Sequence, residues 1–187
     1  MSWVDRLVPH LDDLPGSGWR AVDLPEVARS APAADVLAAA GGGFPGPEEI
    51  EDSASSAHFV RRRQLVHGLA VLLRSTAVAD RAREVLAGPA FARELGMSVA
   101  ADLSGGGGGP EVLTADVSAE GPPFRVTFTG VGPRGALPVH LEVVVLQADR
   151  AVTLLWFADA PEPLPPADRS YVTRRLLDRL SRRPPEP

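Results

Sequence analysis

The chain has 187 residues, 19 of them basic and 24 acidic, with a formal charge of −5 and 44% apolar residues; this length is typical of one domain. All the basic residues are Arg, and Lys, Asn and Cys are absent. The chain therefore has no lysine for a P-loop or a Schiff base, no disulfide, no thiolate nucleophile and no N-glycosylation site.

Residues 1–57 are predicted to form a helical and loop extension. A short helix that Ser2 can cap should run to about Leu11, with apolar residues at helical spacing. An Asp, a Pro and a His interrupt these apolar residues, whereas a signal peptide needs a basic start and an unbroken apolar stretch. We therefore expect a cytoplasmic protein. The segment 44–56, FPGPEEIEDSASS, is predicted to be a polar, acidic loop.

Residues 58–104 combine predicted strands with Ala-rich helices. Alternating apolar residues favour a strand at 58–62, a short turn and a second strand at 65–74. One continuous helix over 58–75 is the alternative. Because Gly68 would lie inside that helix and three consecutive arginines would circle it, we favour the strand pair.

An Ala-rich helix follows these strands. Ser75 or Thr76 can cap it, and it should run to about Leu86. A Gly-Pro pair at 88–89 interrupts the helix before a further turn or two. The apolar residues that carry the helical spacing are Val78, Ala82, Val85, Phe91, Leu95 and Met97.

Residues 105–110, five glycines and a proline, predict a flexible loop. A phosphate-binding loop is the alternative, but such loops follow a strand, precede a helix and usually contain Lys. Here a predicted strand follows and Lys is absent. We therefore expect a linker inside a single domain that spans residues 1–187.

Residues 111–183 predict a β-meander and a C-terminal helix. The predicted strands are 112–119, 124–130, 137–147 and 150–158. The last is apolar on both faces, as in a central strand covered on each side. The helix, 167–182, turns Val172, Leu176 and Leu180 toward the sheet, and arginines gather at its end, where they complement the helix dipole. The predicted fold is α+β, with a single antiparallel sheet of about five to six strands packed against helices.

Arg61, Arg62 and Arg63 form the most concentrated basic cluster of the sequence. They are candidates for contacts with a phosphate group or an acidic partner. The alternative is an exposed strand end or turn whose arginines pair within the chain. The acidic residues at 48–52 are their expected partners because they are near in sequence.

Trp156 is the other candidate for partner binding. Alternation places Trp156 and Phe157 on opposite faces of a central strand, where core packing is the alternative to lining a pocket. Since only 5% of the residues are aromatic, the core must consist mainly of Leu, Val and Ala. Aliphatic cavities of that kind bind apolar ligands where the packing is incomplete.

His140 and Glu142 lie two residues apart on a predicted strand, so their side chains share a face. Two ligands are too few for a metal site, and the opposite face of that strand is apolar, so we expect both to face solvent. Ser17 lies between two glycines but lacks the strand-to-helix context of a hydrolase nucleophile. We predict no metal, no cofactor and no enzyme activity.

The phrase from Asp12 to Trp19, DDLPGSGW, and the order of the elements resemble a group of small lipoproteins and extracellular sensor domains of high-GC Gram-positive bacteria. That group has a Mog1/PsbP-like α/β sandwich, in which a similar phrase precedes the antiparallel sheet and an apolar strand and an amphipathic helix end the domain. The resemblance implies a binding module and provides no catalytic residues. This chain differs from the group in lacking a signal peptide, a lipidated Cys and disulfides.

Together these observations predict a non-catalytic binding module for a protein or peptide partner, either an adaptor or a chaperone-like protein that would form a homodimer. The alternative is a carrier or sensor of a small apolar ligand held in an aliphatic pocket. The net negative charge argues against nonspecific nucleic-acid binding. No apolar run approaches the roughly 20 residues that span a bilayer.

Overall fold

The computed structural model describes residues 2–22, 45–88, 90–91, 111–118, 124–131, 139–159 and 163–182. Eight strands lie in these ranges: β1 (Arg20–Val22), β2 (Ile50–Ser55), β3 (His58–Arg61), β4 (Gln64–Leu73), β5 (Glu111–Ser118), β6 (Phe124–Val131), β7 (Val139–Ala148) and β8 (Ala151–Asp159). The same ranges contain the helices α1 (Thr76–Leu86) and α2 (Pro166–Leu180) and the 3₁₀ helices Val4–Leu7, Leu11–Asp13 and Pro47–Glu49.

All eight strands belong to one antiparallel sheet, in the order β1-β3-β4-β8-β7-β6-β5. β2 also pairs with β4, along the part of β4 that β3 does not reach. The chain passes through β5 to β8 as a meander, and β8 then pairs with β4. The predicted α+β fold with a single antiparallel sheet is confirmed, and so is the strand pair predicted within 58–75.

Two parts of the predicted N-terminal extension are wrong. The segment predicted to be an acidic loop contains β2, whose side chains alternate between half-buried and exposed. Because most of these side chains are polar, the sequence lacks the apolar alternation that predicts a strand. The predicted helix up to Leu11 is instead two 3₁₀ helices separated by Pro9. Val8, which precedes that proline, is extended, as the proline ring requires.

Two separate clusters of apolar side chains cover the two faces of the strands β4, β7 and β8. One cluster lies under α1 and consists of Leu69, Val71, Leu73, Val78, Ala79, Ala82, Leu86, Phe91, Val143, Val145, Val152 and Leu154. The other lies under α2 and the N-terminal segment and consists of Val4, Leu7, Val8, Leu14, Phe59, Val66, Ala70, Val144, Leu146, Ala151, Leu155, Phe157, Leu164, Val172, Leu176 and Leu180. We call the two sides of the sheet the α1 face and the α2 face.

Several local predictions are confirmed. Ser75 caps α1, since its hydroxyl accepts a hydrogen bond from the backbone N–H of Val78 at 3.2 Å. The side of the C-terminal helix predicted to face the sheet is buried. Phe91 is buried as well, whereas Leu95, Met97 and the predicted loop 105–110 lie outside the described residues.

The N-terminal segment is fixed to α2 by a buried carboxylate. Asp13 pairs with Arg175 at 3.1 Å and also with Arg179. The predicted role of these two arginines as simple complements of the helix dipole is therefore incomplete, because their charges also hold another segment. The same Asp13 accepts a hydrogen bond from the backbone N–H of His10 at 2.7 Å.

Gly68 is required where the N-terminal segment crosses β4. A Cβ atom at this position would lie 2.2 Å from Cδ of Pro9, which packs directly on the strand. The glycine that argued against a helix in the sequence thus has a packing role. It lets the backbone of one segment approach the other closely.

We expect Gly68→Ala to lower the free energy of unfolding by about 1–3 kcal/mol, the usual cost of overpacking a core. Chemical denaturation measures the change. The double variant Pro9→Ala with Gly68→Ala should be more stable than Gly68→Ala alone, because the colliding ring is removed. Equal stability of the wild type and Gly68→Ala would contradict the close approach.

Candidate functional site

Arg61 is held within the chain by a set of polar contacts on the α2 face. Its guanidinium donates to the Pro15 carbonyl at 3.0 Å, to Oε1 of Gln64 at 2.9 Å and to Oδ2 of Asp168 at 3.1 Å. It also lies 4.5 Å from the centre of the Trp19 ring, within the range of a cation–π contact. Arg61 therefore connects the N-terminal turn, the β3–β4 hairpin and α2.

The turn that contacts Arg61 is the DLPGSGW phrase of the sequence. Gly16 and Gly18 both have positive φ angles, of 75° and 88°, which favour glycine. The Pro15 carbonyl accepts a second hydrogen bond, from Nε1 of Trp19 at 2.9 Å. The phrase thus forms a tight turn that places an indole against a guanidinium.

The acidic residues at 48–52 do not neutralise the arginine cluster, so this part of the prediction is wrong. Glu49 pairs with Arg81 at 2.6 Å, and Glu51 pairs with Arg150 at 2.9 Å. Neighbours in sequence are separated here because β2 begins opposite Leu73, at the end of β4 that leads into α1, whereas the β3–β4 hairpin lies at the other end of β4.

Arg62 and Arg63 form the two-residue turn of that hairpin, and both are exposed. Arg62 has a φ angle of 57°, a left-handed conformation that two-residue hairpins require. Of the three arginines predicted as candidates, Arg61 therefore lies on the α2 face in contacts within the chain. The other two project at the end of the sheet.

On the opposite face, at the same end of the sheet, lies an uncharged surface that we call the platform. It adjoins the cluster under α1, against which Trp156 and Ala158 pack, and comprises two rows of side chains that cross the strands. All seven side chains are half-buried: Val22, His58, His67 and Trp156 in one row, and Val60, Leu65 and Ala158 in the other.

The rings of the first row are packed against one another. His58 and His67 are stacked in parallel, with ring centroids 4.1 Å apart and an angle of 2° between their planes. Trp156 contacts the other side of His67, at 5.5 Å and 36°. Phe157 lies on the other face of β8, in the cluster under α2, so the prediction that Trp156 and Phe157 point to opposite faces is confirmed.

His67 lies next to two serine hydroxyls, an arrangement that resembles a nucleophile with its base. Oγ of Ser55 and Oγ of Ser56 lie 3.4 Å from its two ring nitrogens. Burial and, to a smaller extent, the neighbouring His58 lower the pKa of His67 from 6.5 to about 4. A base this weak is poorly matched to neutral pH. The Ser56 hydroxyl also donates its proton to the Ala57 carbonyl, at 2.7 Å, away from the ring.

The prediction that His140 and Glu142 face solvent is wrong for Glu142. Both residues lie on the α2 face of β7, where α2 covers the sheet, and Glu142 is buried in an ion pair with Arg169. Asp159 lies directly opposite His140 on β8. Burial raises the pKa of Asp159, and its Oδ2 accepts a hydrogen bond from the backbone N–H of Leu164 at 2.7 Å.

Alternation identified the shared face of His140 and Glu142, but it did not indicate that the C-terminal helix lies over it. Asp159 was not singled out from the sequence either. A signal for it exists, since an acidic residue ends an otherwise apolar central strand. In the described ranges, no three His, Asp or Glu side chains converge as metal ligands would.

A cleft of about 300 Å³ opens on the α2 face, at the end of the sheet away from the platform. Its floor is formed by Leu72, Ala148 and Ala151, which lie side by side on β4, β7 and β8. Trp3 and Leu180 form its walls. The two alanines leave the space that larger side chains would fill.

No helix in the described ranges is long and apolar enough to cross a membrane.

No protein-family model matches the chain, and no curated protein matches it. Among solved structures, the chain is similar to the extracellular domain of PknH from Mycobacterium tuberculosis, with 13% identity and a TM-score of 0.44, over 73% of this chain and 68% of that chain. A likeness at this level leaves the function to be inferred from the side chains of the domain itself.

We expect Arg61→Ala to lower the free energy of unfolding by about 2 kcal/mol, since three hydrogen bonds and a ring contact are lost together. Arg63→Ala should change it by less than about 0.5 kcal/mol, because that side chain is exposed. Denaturant unfolding of the two variants provides the comparison. If Arg61→Ala lowered the free energy of unfolding as little as Arg63→Ala is expected to, the contacts of Arg61 would contribute nothing to stability.

We expect the free energy of unfolding to fall as the pH is lowered from 6.5 to about 4. In this window the unfolded chain protonates His67 and the folded chain does not, which corresponds to about 3 kcal/mol for the full shift. Burial lowers the pKa of His58 and acts in the same direction, whereas the raised pKa of Asp159 acts in the opposite one.

The contribution of His67 is isolated by comparing variants over the same pH series. His67→Phe keeps a ring in the stack and should flatten the pH dependence of the unfolding free energy. His10→Gln, at an exposed position, should leave it as in the wild type. A wild-type pH dependence in His67→Phe would show that the buried imidazole is not its source.

Proposed function

We propose that this domain is a non-catalytic binding module that holds a protein or peptide partner on the platform. The observation that carries this proposal is the pair of cross-strand rows of half-buried, uncharged side chains at one end of the α1 face. Contiguous apolar surface of this kind commonly marks an interaction site. A sheet also holds such side chains in fixed positions, so little order has to be created when a partner binds.

The platform has the composition of an interface centre. Aromatic side chains are enriched in the centres of protein interfaces, and charged ones are depleted there. Trp156, the residue predicted from the sequence as a partner contact, lies in the row with His58 and His67. The lowered pKa values of both histidines favour neutral rings near pH 7, which suits contact with apolar side chains.

The absence of enzyme activity remains part of the proposal. It is supported by the weak basicity of His67 and by the direction of the Ser56 proton, which together oppose a serine–histidine reaction at this site. We also propose the cytoplasm as the location and the Mog1/PsbP-like sandwich as the family. The proposed location rests on the N-terminal sequence. The proposed family rests on the DLPGSGW phrase and the order of the elements.

A second candidate function is the carriage of a small apolar ligand, and the cleft beside Trp3 favours it. Its volume of about 300 Å³ is at the lower end of ligand pockets. Its floor is apolar, but Asp149, Arg150 and Ser181 form part of its lining and the cleft is open. The platform is therefore the better supported site.

The platform is tested by adding one negative charge at its centre. Val60→Glu should reduce the recovery of the partner from a native lysate by at least about tenfold, because a charge is desolvated in the interface. Tyr171→Glu is the matched control: it adds the same charge at an exposed position on α2, where Tyr171 is 44% exposed.

Quantitative mass spectrometry compares the proteins recovered with the wild type and with each variant, after circular dichroism has verified the fold. A protein that Val60→Glu loses and Tyr171→Glu retains supports the platform as its site. Sedimentation velocity reports whether that partner is a second copy of the chain. Equal recovery of every protein with both variants would overturn the proposal.

A further inference from the structure

Three arginines border the platform at the end of the sheet, and we call them the basic rim. Arg20 lies opposite Val60 in the pairing of β1 with β3, so its side chain continues the second row of the platform. Arg62 and Arg63 form the hairpin turn directly beyond Val60 and Leu65. All three arginines are exposed.

The positive charges of the rim are not neutralised by ion pairs within the described part of the chain. Arg61, Arg81, Arg150, Arg169, Arg175 and Arg179 each pair with an acidic side chain. By contrast, Arg20, Arg62 and Arg63 form no ion pair with another described residue. They are a local group of three positive charges on a chain whose formal charge is −5.

We infer that the partner of the platform is a peptide segment that carries acidic side chains beside apolar ones. This inference rests on the proposed function. The apolar side chains of such a segment lie on the two rows, and its carboxylates reach the guanidinium groups of the rim. Arg suits this role because its planar group pairs with a carboxylate through two hydrogen bonds.

The same surface is less suited to single-stranded nucleic acid, although both ligands are negatively charged. Nucleic-acid platforms present the flat faces of aromatic rings, on which bases stack. Here the imidazoles of His58 and His67 are stacked on each other, and His67 is bordered by Trp156 on its other side. The ring row therefore contributes apolar packing more than free stacking faces.

The experiment uses the full chain and two labelled synthetic peptides of about 12 residues, one built from Leu, Phe and Glu and the other with Gln in place of every Glu. Fluorescence anisotropy should give at least about tenfold tighter binding of the Glu peptide at about 50 mM salt, and the difference should shrink at about 300 mM salt.

Charge reversal locates the effect on the rim. The double variant Arg62→Glu with Arg63→Glu should weaken binding of the Glu peptide by at least about tenfold and leave the Gln peptide nearly unchanged. The control pair Arg174→Glu with Arg182→Glu changes the net charge equally, at exposed positions of α2 and just beyond its end. It should have a much smaller effect, and Arg20→Glu provides a single-site test of the rim.

The outcomes separate this inference from the proposed function. Equal affinity for the two peptides, or equal loss with the control pair, would overturn the acidic partner and leave the platform standing. Peptide binding that survives Val60→Glu would place the peptide elsewhere and overturn both, as would no binding of either peptide. Tighter binding of a single-stranded oligonucleotide than of the Glu peptide would favour nucleic acid and also overturn the inference.

Discussion

The strand β8 determines how the domain is built. It pairs along its whole length with β4 on one side and β7 on the other, and most of its side chains are buried on both faces. Apolar side chains on two faces require two covers, because their burial is the main driving force for folding. The helix α1 provides one cover, and α2 together with the N-terminal segment provides the other.

The lengths of these covers explain where the platform lies. The 11 residues of α1 extend over about 16 Å, whereas the ten residues of β4 extend over about 33 Å. The cluster under α1 therefore occupies only part of the described surface of that face. The two rows of the platform lie at the edge of the cluster, where Trp156 and Ala158 pack against it. On the α2 face, a longer helix and the segment fixed through Asp13 cover more of the same strands.

At the end of the sheet that contains the platform, the two faces also differ in their charged residues. On the α2 face, Arg61 and Glu142 are each paired within the fold, which is the usual condition for a charge that is removed from water. On the α1 face the rows are uncharged, and the basic rim stays in solvent.

Alternation and turn residues in the sequence were sufficient to predict the meander, the strand pair within 58–75, a helix cap at Ser75 or Thr76 and the apolar side of the C-terminal helix, because each depends on neighbours along the chain. They did not reveal β2, the burial of Glu142 or the partner of Arg61. Tertiary structure decided these features, since each requires a contact between segments far apart in sequence: β2 with β4, α2 with β7, and Asp168 with the hairpin. The platform belongs to the same class, because its rows join side chains of four strands that only the pairing of the sheet brings together.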